Sequence, residues 1–143
     1  MASVYREAAI AAPPDDVWAA LADFGAVHER LAPGFVVACE PDDRGGSGGP
    51  VARTVTFANG AVAREVLVGS DADHRRLAYT VVEGPLGAEH HNASAQVLAE
   101  PDGTSRFVWV TDVLPDHLAG TVGRMMDHGL AVMVQALARP RGR

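Results

Sequence analysis

The stretch that decides the fold is residues 12–25, which read APPDDVWAALADFG. Its two prolines suit the first positions of a helix, where a missing N–H costs no intrahelical hydrogen bond. Asp15 and Asp16 place carboxylates in the first turn, where the helix dipole favours negative charge. Gly25 ends the helix. The apolar residues follow at spacings that put them on one face, with Trp18 expected in the core: Val17, Trp18, Leu21 and Phe24.

The segments on either side of this helix predict one strand before it and a long antiparallel meander after it. Residues 4–10 predict the first strand, and residues 27–31 predict a second short helix that Pro33 and Gly34 stop. The apolar period then changes to two, and short connectors with turn residues separate the strands. Six further strands are predicted, over residues 35–40, 51–57, 61–69, 77–82, 89–100 and 104–114.

Residues 115–139 predict a long C-terminal helix that ends at Pro140. Its expected apolar stripe is Leu118, Val122, Met125, Gly129, Val132, Met133 and Ala136. A seven-stranded antiparallel sheet must bury one face, and this helix is the one predicted element long enough to cover it. A curved sheet cannot close fully onto a stripe of small residues. The sequence therefore predicts an α+β fold with an internal hydrophobic cavity between sheet and helix.

Length and charge limit the classes of function. The 143 residues predict a single domain over 1–143. Twelve basic against 18 acidic side chains give a net charge of -6, the wrong sign for binding nucleic acid or anionic membranes. No apolar run approaches the ~20 residues of a membrane span, and Arg6 and Glu7 interrupt any signal-peptide core. The single Cys39 fits a reducing compartment, so we expect a cytoplasmic protein. The composition leaves a homodimer open.

The sequence has neither the residue spacing of a metal site nor a phosphate-binding loop. No set of Cys, His and carboxylate residues has the spacing of a metal site, so we predict no metal and no cofactor. The glycine-rich run of residues 42–50 is followed by neither the lysine nor the helix of a phosphate-binding loop. Two interpretations remain for this run, a flexible lid at the cavity mouth and an inert linker.

The order of the predicted helices and strands, and the residues at their boundaries, resemble the START/SRPBCC superfamily. Within it the sequence is most similar to the bacterial polyketide cyclase/dehydrase group. The resemblance covers essentially the whole chain, and its carrying residues are 12–18, 21–24, Arg53, Asn59-Gly60, Glu65, Tyr79, Gly103 and Val108-Trp109. It implies a helix-grip fold, in which a curved sheet wraps around the long C-terminal helix and encloses a hydrophobic cavity. It also implies binding of a polyketide-like or lipid-like small molecule, with cyclisation or related chemistry in some members.

The strongest candidates for catalytic residues are Arg53, Glu65 and Tyr79. Some plant members of the superfamily carry an Arg, a Glu and a Tyr on successive strands for proton transfer, and these three residues match that pattern. A two-residue loop between the strands would set Arg53 opposite Val66, whereas a three-residue loop with Gly60 left-handed sets it opposite Glu65. We expect the three-residue loop, because it gathers the pair and its apolar neighbours on one face. A carboxylate balanced by a guanidinium in an apolar cavity can then act as acid or base. The alternative is a plain cross-strand ion pair.

His91 is the fourth catalytic candidate, because it shares its face with apolar residues while His90 faces the other way. The alternative is a histidine at the cavity mouth or on the surface. Superfamily members often carry an aromatic residue near this point, so a histidine departs from the pattern. The three methionines of the helix suit either an adaptable ligand surface or ordinary core packing. The predicted ligand-binding residues are Val55, Phe57, Leu67, Val81, Phe107, Trp109, Val122, Met125, Met126 and Met133.

Three functions follow from these residues. The first is a small enzyme that cyclises, dehydrates or isomerises a hydrophobic substrate by acid/base chemistry at Glu65, with Arg53, Tyr79 and His91 assisting. The second is a carrier or sensor of a lipid-like ligand without catalysis. The third is a protein–protein module whose cavity has collapsed.

Overall fold

The computed structural model describes residues 1–42 and 49–139, and it contains every predicted helix and strand. Residues 43–48 of the glycine-rich run lie outside the described residues, and with them most of the segment expected as a lid or linker. The strands are β1 (Ala2–Ile10), β2 (Val36–Pro41), β3 (Ala52–Phe57), β4 (Val62–Asp71), β5 (Arg76–Glu83), β6 (His90–Ala99) and β7 (Ser105–Leu114). The helices are α1 (Pro14–Ala22) and α2 (Ala119–Leu137), with short helical turns at Phe24–Ala26, Val27–Leu31 and Asp116–Leu118.

The seven strands form one antiparallel sheet in the order β1-β7-β6-β5-β4-β3-β2. Strands β2 to β7 are therefore a continuous meander, and β1 returns to pair with β7. Register shifts interrupt the ladder between β2 and β3 and twice between β4 and β5. Such bulges bend a strand and increase its twist, which gives the sheet a concave face toward α2. The predicted α+β fold is confirmed.

Helix α2 covers the concave face, but it is rotated relative to the predicted stripe. Ala136 is exposed and Met125 half-buried, whereas Met126 and Leu130 are buried. The rotation follows from two glycines. A Cβ on Gly123 would lie 2.6 Å from a guanidinium nitrogen of Arg6, and one on Gly129 would lie 3.0 Å from a ring carbon of Phe35. The backbone of α2 approaches its neighbours at these two glycines, so they lie on the covered side of the helix together with Met126 and Leu130.

No helix of the described residues is both long and apolar enough to cross a membrane.

Candidate functional site

A cavity of about 350 Å³ lies between the concave face of the sheet and α2. The turn at Val27–Leu31 and the loop between β5 and β6 complete its wall. All four predicted catalytic residues line it: Arg53, Glu65, Tyr79 and His91. Nine of the ten predicted ligand-binding residues also line it: Val55, Phe57, Val81, Phe107, Trp109, Val122, Met125, Met126 and Met133.

Leu67 does not line the cavity, in contrast to the sequence-based expectation. It shares the inner face of β4 with Glu65, as predicted, but it packs against the hydrophobic core. The register of β4 shifts directly after Leu67, where the strand bulges before Gly69. Alternation along the strand thus identified the face correctly, while the end of the cavity depends on the sheet's curvature.

The hairpin between β3 and β4 has the register expected from the three-residue loop. Arg53 pairs directly with Glu65. Gly60 has a left-handed φ of 88°, and its N–H donates to the Phe57 carbonyl oxygen at 2.9 Å. The left-handed conformation costs glycine little because it has no Cβ. The turn chemistry therefore places both charged side chains on the inner face.

Arg53 and Glu65 form a buried ion pair in the wall of the cavity, at 7% and 6% exposure. The Nε of Arg53 donates to Oε1 of Glu65 at 2.8 Å, and Nη2 lies 2.7 Å from the same oxygen. Both contacts end on one carboxylate oxygen. Oε2 of Glu65 has no donor among the residues that the structure describes.

Phe24 anchors the same guanidinium from the other side. Nη1 of Arg53 donates to the Phe24 carbonyl oxygen at 2.9 Å. The Phe24 ring lies under the guanidinium, with 3.8 Å from Cζ to the ring centroid, a distance at which cation–π attraction is strong. Sequence analysis placed Phe24 on the apolar face of the first helix and missed this role, because a residue pattern does not show which groups a backbone carbonyl oxygen will meet. Arg53 is thereby tied both to β4 and to the helical turn at Phe24–Ala26 that follows α1.

Tyr79 stands beside this pair on β5. Its ring centroid lies 5.5 Å from the Arg53 guanidinium and 6.5 Å from the Phe24 ring. Burial, and secondarily the Glu65 carboxylate, raise the pKa of Tyr79 well above its usual value. Its hydroxyl therefore stays protonated across the neutral range and can donate a hydrogen bond to a ligand oxygen.

His91 lies on the next strand, β6, and also on the inner face. Burial, with a smaller effect of the neighbouring His90, lowers the pKa of His91. The imidazole is thus neutral at pH 7, with one N–H donor and one acceptor nitrogen. Thr111 on β7 also lines the cavity. Sequence analysis did not select Thr111, although its inward phase with Phe107 and Trp109 was readable from the strand alternation.

The aromatic part of the wall depends on Gly129 of α2. A Cβ at this position would lie 3.3 Å from Trp109 as well as close to Phe35. Phe35 in turn contacts the ring of Phe57 edge-on, with centroids 5.4 Å apart. The indole N–H of Trp109 is buried and has no hydrogen-bond partner among the described residues. It lies close to Tyr79 and lowers the pKa of Tyr79, an effect smaller than the rise caused by burial.

A family model described as "polyketide cyclase / dehydrase and lipid transport" matches residues 1–139. A solution NMR structure of a protein from Thermobifida fusca is 32% identical, covering 96% of this chain and 91% of that one, with a TM-score of 0.73. The ZhuI aromatase/cyclase from Streptomyces sp. R1128 is 16% identical, with the same coverage and a TM-score of 0.74. A START superfamily protein from Mycobacterium smegmatis is 15% identical over 95% of this chain and 94% of that one, with a TM-score of 0.70. No curated protein matches the sequence significantly.

Proposed function

The chain belongs to the polyketide cyclase / dehydrase and lipid transport family, and we propose that it catalyses the cyclisation, dehydration or isomerisation of a compact hydrophobic molecule by acid/base chemistry. The START-type fold implied by the sequence resemblance is confirmed by the solved structures. Family and fold together support a role in binding hydrophobic ligands. The catalytic step is our proposal.

The observation that carries the proposal is the state of the Glu65 carboxylate. Oε1 accepts both contacts from Arg53, while Oε2 meets no protein donor in the described residues. Isolated burial of a carboxylate is costly, and the guanidinium at 2.7 Å offsets that cost. The Glu65 carboxylate is thus paired within an apolar wall and leaves one oxygen available to a ligand. This arrangement suits a general base.

The proposed chemistry begins with a C–H bond next to a ligand carbonyl. Oε2 of Glu65 takes the proton, and the electron pair moves to the carbonyl oxygen, where the Tyr79 hydroxyl donates a hydrogen bond to the enolate. Return of the proton to another carbon isomerises the ligand, loss of a β-hydroxyl as water dehydrates it, and attack of the enolate carbon on a second carbonyl cyclises it. The chain contains no lysine, so side-chain Schiff-base chemistry plays no part.

The volume of the cavity limits the size of the ligand. About 350 Å³ is at the small end of ligand sites, which range over roughly 300–1,000 Å³. A molecule of two or three fused rings, or one short chain folded on itself, fits this space. Holding such a molecule in a reactive conformation would itself contribute to the rate.

The test uses 2-tetralone, a compact bicyclic ketone with acidic C–H bonds next to its carbonyl. Exchange of these protons for deuterium in D₂O is followed by NMR. The wild-type protein should accelerate exchange over buffer, and Glu65→Gln should lose about 100-fold or more of that acceleration, as expected for a general base. Glu40→Gln, which changes an exposed glutamate on β2, is the matched control and should leave the rate unchanged. Undiminished exchange in Glu65→Gln would remove Glu65 from the mechanism.

The second candidate is a carrier without catalysis. It is favoured by the contact of Arg53 with the Phe24 carbonyl oxygen. This contact links the helical turn at Phe24–Ala26 to the sheet, which is a structural role that requires no catalysis. A carrier should bind 2-tetralone without accelerating exchange. It should also retain an apolar molecule from its expression host, detectable by mass spectrometry of a denatured extract.

A further inference from the structure

We propose that His91 and Thr111 form a second polar subsite of the cavity, which binds a second oxygen of the ligand across the sheet from Glu65. The inference rests on the proposed function and extends it to the class of ligand, a neutral compact molecule with oxygen functions at both ends. A lipid with a single polar end would not match a cavity that has polar groups at two positions.

The strand register separates the two polar positions. Glu65 pairs with Val81 of β5, and the next residue, Thr80, pairs with Asn92 of β6. Continued by one residue, this register sets Val81 beside His91. Glu65 and His91 are therefore two strands apart on the same face, roughly 10 Å between their Cα atoms. The residue between them, Val81, is apolar and lines the cavity.

Thr111 belongs to the His91 side of this arrangement. His91 pairs with Val113 of β7, and Ala93 pairs with Thr111, so His91 and Thr111 are diagonal neighbours on one face. Side chains at such diagonal positions are within mutual reach.

The polar atoms of this subsite are available to a ligand. Neither ring nitrogen of His91 nor the Thr111 hydroxyl has a hydrogen-bond partner among the described residues. The Thr80 hydroxyl donates to His91, but it does so to the backbone oxygen. The polar side-chain atoms in described residues that are fully enclosed without a partner are those of His28 and Trp109. His91 is half-buried and Thr111 is 1% exposed, and both residues line the cavity.

The chemistry of the subsite selects a neutral oxygen. A neutral imidazole and a hydroxyl each provide a donor and an acceptor, which match an alcohol, phenol or ketone oxygen. They provide no full positive charge for a carboxylate. At the other position, the charges of Arg53 and Glu65 offset each other, and Glu83, the other charged residue of the lining, stands at the exposed rim. A ligand with a net charge would lack a buried counter-charge.

The experiment compares three probes, 2-tetralone, 6-hydroxy-2-tetralone and 8-hydroxy-2-tetralone, by isothermal titration calorimetry. In the 6-hydroxy probe the second oxygen lies across the rings from the ketone, and in the 8-hydroxy isomer it lies on the ketone's side. The 6-hydroxy probe should bind the wild-type protein about tenfold more tightly than 2-tetralone, a gain typical of one well-made buried hydrogen bond. The 8-hydroxy isomer should show no such gain.

Two variants test the subsite. His91→Leu and Thr111→Val should each lose most of the tenfold advantage of the 6-hydroxy probe, measured as the ratio of its affinity to that of 2-tetralone in the same variant. His90→Leu, a change on the opposite face, is the control and should keep the advantage. Two variants are used in case one of them fails to fold. Thermal unfolding shows whether each variant is folded.

Equal binding of 2-tetralone and its 6-hydroxy derivative by the wild-type protein would overturn the subsite. So would an advantage that survives in both variants. Either result leaves the exchange of 2-tetralone protons at Glu65 untouched, so failure of the subsite is distinguishable from failure of the proposed function. The converse result is a wild-type protein that does not accelerate proton exchange of 2-tetralone but still binds the 6-hydroxy probe more tightly. It would support a two-ended binding site without catalysis.

Discussion

Replacing Arg53 by methionine tests the energetics of the buried ion pair. Methionine keeps much of the apolar stem but removes the guanidinium, which contacts Glu65 twice and the Phe24 carbonyl oxygen once. The Glu65 carboxylate, 6% exposed, would then remain in the wall without its counter-charge. Breaking a buried pair from one side costs about 3–5 kcal/mol, while the hydrogen bond to Phe24 alone is worth about 1 kcal/mol. We therefore expect the free energy of unfolding to fall by about 3–5 kcal/mol, chiefly because the buried Glu65 carboxylate loses its counter-charge.

The assay is urea unfolding at pH 7 with linear extrapolation, applied to the wild type, Arg53→Met and the double variant Arg53→Met/Glu65→Leu. Because the double variant contains no buried charge, it should recover most of the lost stability. Arg30→Met is the matched control. Arg30 pairs with Asp23 at 3.0 Å, but both side chains are more than 40% exposed, so its loss should cost less than about 1 kcal/mol.

Two results would refute this reasoning. One is a loss below about 1 kcal/mol for Arg53→Met, which would place the pair in the range of solvated surface pairs. The other is a double variant as unstable as the single one, because the cost would then come from lost packing and not from the unpaired carboxylate.

Further predictions concern α2 and the titration of the cavity. Met126→Ala should lower the free energy of unfolding by about 2–5 kcal/mol, whereas Met125→Ala, at a half-buried position, should cost clearly less in the same urea titration. Gly129→Ala would put a methyl group 3.0 Å from a ring carbon of Phe35, and we expect it to destabilise the protein by about 1–3 kcal/mol and to weaken 2-tetralone binding in calorimetry. Since burial lowers the pKa of His91 below 6.5, the folded state binds fewer protons than the unfolded state near that pH. The wild type should therefore lose stability relative to His91→Leu as the pH falls below 6.5, measured by urea unfolding at pH 5 and pH 8.

The β3–β4 hairpin shows how far local chemistry predicts the candidate site. A three-residue loop ending in a left-handed Gly60 is encoded within a few residues, and it sets Arg53 opposite Glu65 without help from the rest of the fold. Alternation along the strands then predicts which side chains face α2. The inward phases of Tyr79 and His91 follow from the same rule, and both residues line the cavity.

Other features of the site depend on contacts between distant segments. Phe24 presents its ring and carbonyl oxygen to Arg53 across 29 residues of chain, which no local pattern can encode. The rotation of α2 likewise depends on where Gly123 and Gly129 meet residues of other elements. Leu67 has the predicted phase and still lies outside the cavity lining, because the curvature of the sheet determines where the cavity ends.

Sequence pattern alone determined the order of the elements, the faces of the strands and the pairing of one acid with one guanidinium. Each of these depends on backbone preferences and alternation within short segments, which act in the same way in any fold. Tertiary structure alone decided which of the inward residues meet open space and which meet packed neighbours, and so which polar atoms are left for a ligand. The physical reason is that curvature, helix rotation and the enclosed volume are properties of the whole sheet and α2 together, set by packing between residues far apart in the chain.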